Sequence, residues 1–291
     1  MKSKILSQWV AFAAIGISAA ITLLALGIIL CFIFGNGLKA LNLEFLTGYP
    51  PSNALNEGGG GILPAIIGTL YLVLGSIAIS LPIGVCAAIY LTEYTKEGAF
   101  TKIVRMGINN LAGVPSIVFG LFGYAFFCIS LGRYFPSLRG PTMIAGQLTL
   151  AFMILPTIIR TAEEAIKSVP RSFREGSLAL GATPWQTIRR VVLPPALPGI
   201  MTGAILGVGR VAGETAPIMF CSAVFWQGKL PSSIFQPVMA LSYHLYELAS
   251  SGGYLTRSNQ WGTAVVLLGL VFAINLVAIV IRSHYAKMKK W

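Results

Sequence analysis

Charged residues are sparse along this chain, and the gaps between them are long. Uncharged runs cover 5–38, 58–92, 106–132, 140–159, 191–209 and 258–281. The run from 191 resumes past Arg210 and Glu214 and continues to Gln227. A helix crosses the hydrocarbon core of a bilayer with about 20 apolar residues. The runs therefore predict six transmembrane helices, at roughly 9–34, 63–91, 106–131, 142–161, 198–225 and 260–281. The start of the fifth is set by Pro194, Pro195 and Pro198, which disfavour an earlier helix. Leu230–Tyr246 is uncharged too, but its Ser, Gln and His suit an interfacial or re-entrant helix better than a span. Lys2 and Lys4 precede the first apolar run as they would in a secretory signal. That run is longer than the usual 7–15 residues and lacks a clear small-residue cleavage site, so it reads as a retained helix.

The fifth predicted span breaks the pattern. Gly199, Gly203 and Gly207 recur every four residues and make a flat face for close helix packing. Further along, Arg210 and Glu214 stand one turn apart at what the span predicts to be mid-membrane depth. An Arg there costs about 2.5–3.5 kcal/mol on insertion scales, so it should face the bundle interior or a wet cavity. Glu214 at i+4 can neutralise it. Pro217 offers no N–H to the carbonyl of Gly213, which predicts a kink beside the pair. Arg160, near the inner end of the fourth span, has Glu163, Glu164 and Lys167 one turn on. It fits either an inner-surface anchor or an anion contact. Asn109, Asn110, Pro115 and Ser116 near the third span are possible cavity-lining positions, and His244 and His284 are isolated.

The loop 162–197 is the longest between spans on its side and the most patterned. Ser172 and Glu175 have capping-box spacing, predicting a helix start. Gly181 fits a left-handed stop. Thr183, Pro184 and Gln186 form a second start signal, and Leu193-Pro194-Pro195 predicts that helix's end. Two short helices joined at a glycine make an exposed element suited to docking into another protein.

Composition agrees with the spans: 291 residues, 55% hydrophobic and 10% charged, with a mean hydropathy of +0.77. The length suits a single membrane domain over 1–291, with no second soluble one. The net charge of +12 does not point to nucleic acid. With six spans and both termini inside, fifteen Lys and Arg fall on the inner side and five on the outer, leaving Arg210 within the membrane. That is the positive-inside bias of a cytoplasmic-membrane protein. The four cysteines (Cys31, Cys86, Cys128 and Cys221) lie in apolar runs and show neither a disulfide framework nor metal spacing. All nine acids are Glu, and there is no phosphate-binding loop and no Ser/His/Asp or Cys/His constellation, so the chain is not expected to be an enzyme.

The stretch EGSLALGATPWQTIRRVVLP, Glu175 to Pro194, resembles the EAA signature of ABC-importer permeases. Glu175, Gly181, Val191, Leu193 and Pro194 fall at its positions, with Gly176-Ser177 for the paired alanines and Val191 for isoleucine. GRVAGETAPIMF, TIIRTAEEAIKSVP, NEGGGGILPAIIGT and VPSIVFGLFGY narrow the resemblance to the A-type permease of phosphate-specific ABC importers, from about residue 40 onward. The resemblance implies an all-α integral membrane protein with the type I ABC-importer permease (MetI-like) fold. It makes 162–197 the cytoplasmic coupling loop, while the extracytoplasmic 227–259 offers a gate or binding-protein contact. It implies a substrate path through Arg210, Glu214, Thr215 and Arg160, in the inner membrane of a bacterium. The implied partners are a second phosphate permease subunit, two ATPase subunits that carry the ATP and Mg, an extracytoplasmic phosphate-binding protein and membrane lipid, with no cofactor in this chain. A phosphate-signalling sensor is a further partner compatible with transport. The competing assignments are a permease for phosphonate, sulfate or molybdate, and an ion-coupled secondary transporter using the Arg210–Glu214 pair.

Overall fold

A computed structural model describes residues 2–50, 60–96, 98–225, 228–250 and 257–287. Its elements are helices, with one isolated β-bridge between Ala223 and Val238 among the described residues. In chain order the main helices are α1 (Lys2–Gly37), α2 (Leu63–Ile89), α3 (Ala99–Ala112), α4 (Ser116–Gly123), α5 (Met143–Lys167) and α6 (Arg171–Ala179). They continue with α7 (Pro184–Thr187), α8 (Leu193–Gly213), α9 (Ala216–Cys221), α10 (Leu241–Ser250) and α11 (Arg257–Lys287). Among the described residues, six helical stretches are long and apolar enough to cross a membrane: Gln8–Ala40, Leu63–Tyr94, Ser116–Tyr134, Met143–Lys167, Pro184–Gly213 and Asn259–Tyr285.

The fourth of these, α5, is the centre. Its most apolar stretch is 67% buried, against 0% for the first span. It packs against α2 on one side and α8 on the other. Leu72 and Val73 of α2, Leu150, Ile154 and Ile158 of α5, and Val208 and Val211 of α8 form one core cluster. A second cluster, nearer the basic end of the bundle, joins Ala88, Ala162, Ile166, Val192 and Ile200. The glycine face predicted on the fifth span is the one that meets α5: Gly199 against Ala165, Gly203 against the side chain of Thr161, Gly207 against Ile154. The first span stands outside this core and packs along α11, where Phe32 meets Trp261 edge-on at 5.2 Å. Cys128 and Cys221 are buried small side chains, and Cys31 and Cys86 are exposed.

Four predicted features differ in the structure. The third span begins at Ser116 rather than 106. Pro115 is extended at its start, and residues 99–112 form the separate helix α3, with Phe100, Ile103 and Met106 exposed. The residue before a proline is held out of the helical region, so Val114-Pro115 divides what the uncharged run joined.

The fifth span starts early and ends early. Pro194 and Pro195 do not stop the preceding helix. A π-helical turn over Ile188–Val192, closed by Leu193 N–H to Ile188 C=O, connects α7 to α8 and makes room for two residues without an N–H. At the other end the predicted kink is a full break, with Gly213 the last residue of α8 and Glu214 extended at φ −74°, ψ 137°. The predicted capping box at Ser172 is also absent: Pro170 takes the cap position of α6 and Ser172 lies inside the helix.

Of Leu230–Tyr246, only the part from Leu241 onward is helical. The approach to it is irregular yet deeply packed, with Val238, Met239, Ala240 and Leu241 fully buried. Its backbone is satisfied by the bundle: Leu241 N–H donates to Thr69 Oγ1 at 2.9 Å, and Val238 N–H to Ser222 C=O. Such burial of irregular backbone is tolerated only with internal partners. In α10, His244 stacks on Phe225 and its Nδ1 is buried with no hydrogen-bond partner among the described residues. Burial pushes the imidazole down to about 4, against a weaker upward pull from a hydrogen bond to the Phe225 backbone.

Two outcomes are expected. Gly203→Ala places a methyl into the Thr161 side chain and should destabilise by about 1–3 kcal/mol. Gly269→Ala, which meets nothing, should be neutral or slightly stabilising in the same detergent melting series. For His244 the folded pKa lies below the unfolded 6.5, so the unfolded chain binds the proton and stability falls as pH drops through 6.5 towards 4. Between pH 8 and pH 5 the wild type should lose about 2 kcal/mol more than His244→Phe.

Candidate substrate path and coupling joint

Arg210 occupies the last turn of α8, where unsatisfied carbonyls favour a cation. Its Nε lies 3.6 Å from Glu214 Oε1, so the predicted pair forms across the helix break rather than along a continuous turn. The side chains are 34% and 17% exposed, and the pair is therefore reachable from outside the chain. The broken strand of backbone is held by α10, whose Ser242 Oγ donates to the Glu214 carbonyl at 2.7 Å. Thr215 begins α9 without capping a backbone N–H through its side chain. Arg210, Glu214 and Thr215 thus converge at one non-helical joint between α8 and α9.

Arg160 is elsewhere. It lies beside Thr161, which meets Gly203, so Arg210 is seven residues or roughly 10 Å further along α8 from that level. Arg160 lines a cavity of about 180 Å³ with Arg105, Ile108, Asn109, Glu163, Glu164 and Lys167. Glu163 is the hub of that cluster, 2.7 Å from both Arg105 Nε and Lys167 Nζ. Asn109 lines it from α3, while Pro115 and Ser116 open α4. Arg105 is a participant that the sequence pattern did not single out. It also bonds Leu91 C=O at 3.1 Å, tying α3 to the end of α2.

The joint of α6 and α7 carries the Glu175 and Gly181 positions on the surface. Gly181 adopts φ +85°, and Gly181 N–H to Leu178 C=O with Ala182 N–H to Ser177 C=O completes the left-handed stop. Thr183 and Gln186 exchange both capping-box bonds. Leu180 is 91% exposed, and Phe173, Leu178 and Trp185 are also exposed, an apolar set on an otherwise basic end. Val191, Leu193 and Pro194 lie in the π turn and the start of α8, with Leu193 packed on the second core cluster. The signature therefore runs from the exposed joint into the span behind it.

One residue of the joint points inward. Arg174 forms a bidentate ion pair with Glu93 and also bonds the carbonyls of Ile166 and Val169. The signal available in the sequence was scarcity: Glu93 is one of few acids on a side rich in cations. In the NEGGGGILPAIIGT stretch, 56–59 lie outside the described residues, as do Gln227 and 251–256 of the 227–259 segment and Trp226 before it.

Residues 80–289 match the family of binding-protein-dependent transport system inner membrane components. The chain is similar to the phosphate transport system permease protein PstA of Haemophilus influenzae, 32% identical over 268 residues, covering 92% of this chain and 91% of the relative. The PstA of Xylella fastidiosa (strain Temecula1) is 33% identical over 246 residues, covering 84% and 82%. Among solved structures, a bacterial alginate ABC transporter in complex with an alginate pentasaccharide-bound periplasmic protein superposes with a TM-score of 0.66 at 15% identity. That superposition covers 98% of this chain and 96% of the other, a likeness of fold. Six apolar spans and this set of relatives make the protein a multi-pass membrane protein of the ABC-importer permease fold. It belongs to the binding-protein-dependent transport system inner membrane component family and, within it, to the PstA group of phosphate transport system permeases.

Proposed function

We propose that the chain is one permease half of an ATP-driven importer that carries inorganic phosphate across the cytoplasmic membrane. The observation that carries the path is the Arg210–Glu214 pair at a break in the fifth span, partly exposed and 3.6 Å apart. A planar guanidinium donates aligned hydrogen bonds to oxyanions, so Arg210 suits a phosphate passing the joint. Glu214 competes for the same guanidinium and keeps it from holding the anion too tightly. Thr215 offers a hydroxyl at the same break. The cluster around Arg160 would then be a second contact at the inner mouth, where Glu163 already engages Arg105 and Lys167.

In this reading the basic end of the bundle, with both termini, faces the cytoplasm. The second half of the path comes from a related permease. A dimeric ATPase binds the ATP and Mg, and its groove receives α6 and α7 through Leu178, Leu180 and Trp185. A phosphate-binding protein delivers the anion from the other side, near 227–259. ATP binding closes the ATPase dimer, the joint follows, and the two permeases rock between outward-open and inward-open states. Chemistry on ATP stays with the ATPase, and this chain supplies the path and the coupling.

Two measurements test it. In proteoliposomes with the full assembly, Arg210→Gln should retain the ATPase on co-purification yet lower phosphate uptake by about tenfold or more, the size of one lost charge-assisted contact. Normal uptake, or failure only through dissociation, would make the pair structural. Leu180→Asp together with Trp185→Asp should abolish ATPase co-purification without moving the melting temperature of the isolated permease, since both side chains are exposed.

A further inference from the structure

Helix α6 has no buried residue. A helix attached so lightly cannot push its neighbours by packing alone, because packing forces need interdigitated side chains. Its polar anchor is Arg174. Nη2 and Nε of that side chain reach Glu93 Oε1 at 2.8 Å and 3.1 Å. Nη1 donates to Val169 C=O at 2.6 Å and Nη2 to Ile166 C=O at 2.9 Å. Glu93 belongs to the π-helical turn Tyr90–Tyr94 that prolongs α2, and the two carbonyls belong to the last turn of α5, Ile166, and to Val169 just past its end. One guanidinium therefore grips α6, the second span and the fourth span together. Both ionic side chains are largely covered, at 17% and 14% exposure.

We infer that Glu93–Arg174 is a positioning pair that carries movement of the docking joint into α2 and α5, the two helices at the centre of the bundle. The inference rests on the proposal that α6 and α7 dock on an ATPase. A planar fork bonded to a carboxylate and two carbonyls fixes direction as well as distance, which a single ammonium cannot do. The neighbouring tie from Arg105 to Leu91 C=O and Glu163 holds the same ends of α2 and α5 to α3. Movement of α6 thus meets a braced pair of span ends rather than loose termini. Glu175, adjacent in sequence, is exposed and free to serve the docked partner.

The test compares phosphate uptake with ATP hydrolysis in proteoliposomes holding the complete assembly, for wild type, Arg174→Gln, Arg174→Lys and Glu93→Gln. Hydrolysis should stay within about twofold while uptake falls about tenfold in Arg174→Gln, so that more ATP is used per phosphate. Arg174→Lys, which keeps the charge and loses the fork, should lie between. A ratio of ATP to phosphate that stays at the wild-type value, whether both rates hold or fall in parallel, would overturn the inference. So would loss of ATPase co-purification in all three variants, which would make the pair part of docking. Wild-type uptake separately tests the importer reading. If wild type moves no phosphate, the clamp is read from ATP-induced displacement of the ends of α2 and α5, followed by spin labels on those helices, which wild type should show and Arg174→Gln should lose while the ATPase stays bound, and its retention would overturn the inference.

Discussion

The close approach of α8 to α5 is the contact on which the rest of the arrangement depends. Gly203 leaves room for Thr161, and the glycines a turn to either side keep the two backbones near each other over several turns. In lipid there is no hydrophobic drive between apolar helices, so packing of this kind supplies much of the association. It fixes the height of α8 against the central helix. Everything at the two ends of α8 is placed by that register: the break with Arg210 and Glu214 at one end, the π turn leading to the docking joint at the other.

The break itself is a solution to a backbone problem. Pro217 cannot donate to the Gly213 carbonyl, and the helix ends there instead of bending. The exposed carbonyl of Glu214 is met by Ser242 from α10. An irregular segment is therefore accommodated between α8 and α9 without leaving this polar group unpaired. The same economy governs the other end, where the guanidinium of Arg174 closes the last carbonyls of α5 and neutralises Glu93 at once. In both places a cation near the C-terminal end of a helix takes part, as the helix dipole favours.

The two ends differ in how firmly they are held. The joint between α6 and α7 is built from rigid local devices, a left-handed glycine stop and a reciprocal capping box, but it buries little against the bundle. The Arg210–Glu214 pair has a longer separation than the ion pairs of the basic end and is more exposed than Arg105–Glu163 and Arg174–Glu93. A looser pair suits a site that exchanges partners, and tighter pairs suit a frame.

The existence of six spans, the glycine face, the capped joint at Gly181–Gln186 and the pairing of Arg210 with Glu214 were determined by the sequence itself. Each rests on local physics: apolar length, helical periodicity, φ preference and the cost of a charge in hydrocarbon. Where a helix starts and stops was only partly legible. Val114-Pro115 divided an unbroken apolar run, and Pro194-Pro195 failed to divide another because a π turn absorbed them. Whether a proline breaks a helix depends on what the surrounding backbone can bond to, and that is a tertiary matter. The seat of Arg105 beside Glu163 and the Glu93–Arg174 clamp were decided by tertiary structure alone. Glu93 and Arg174 are 81 residues apart in the chain, and only the packing of α2 against α5 brings their ends together.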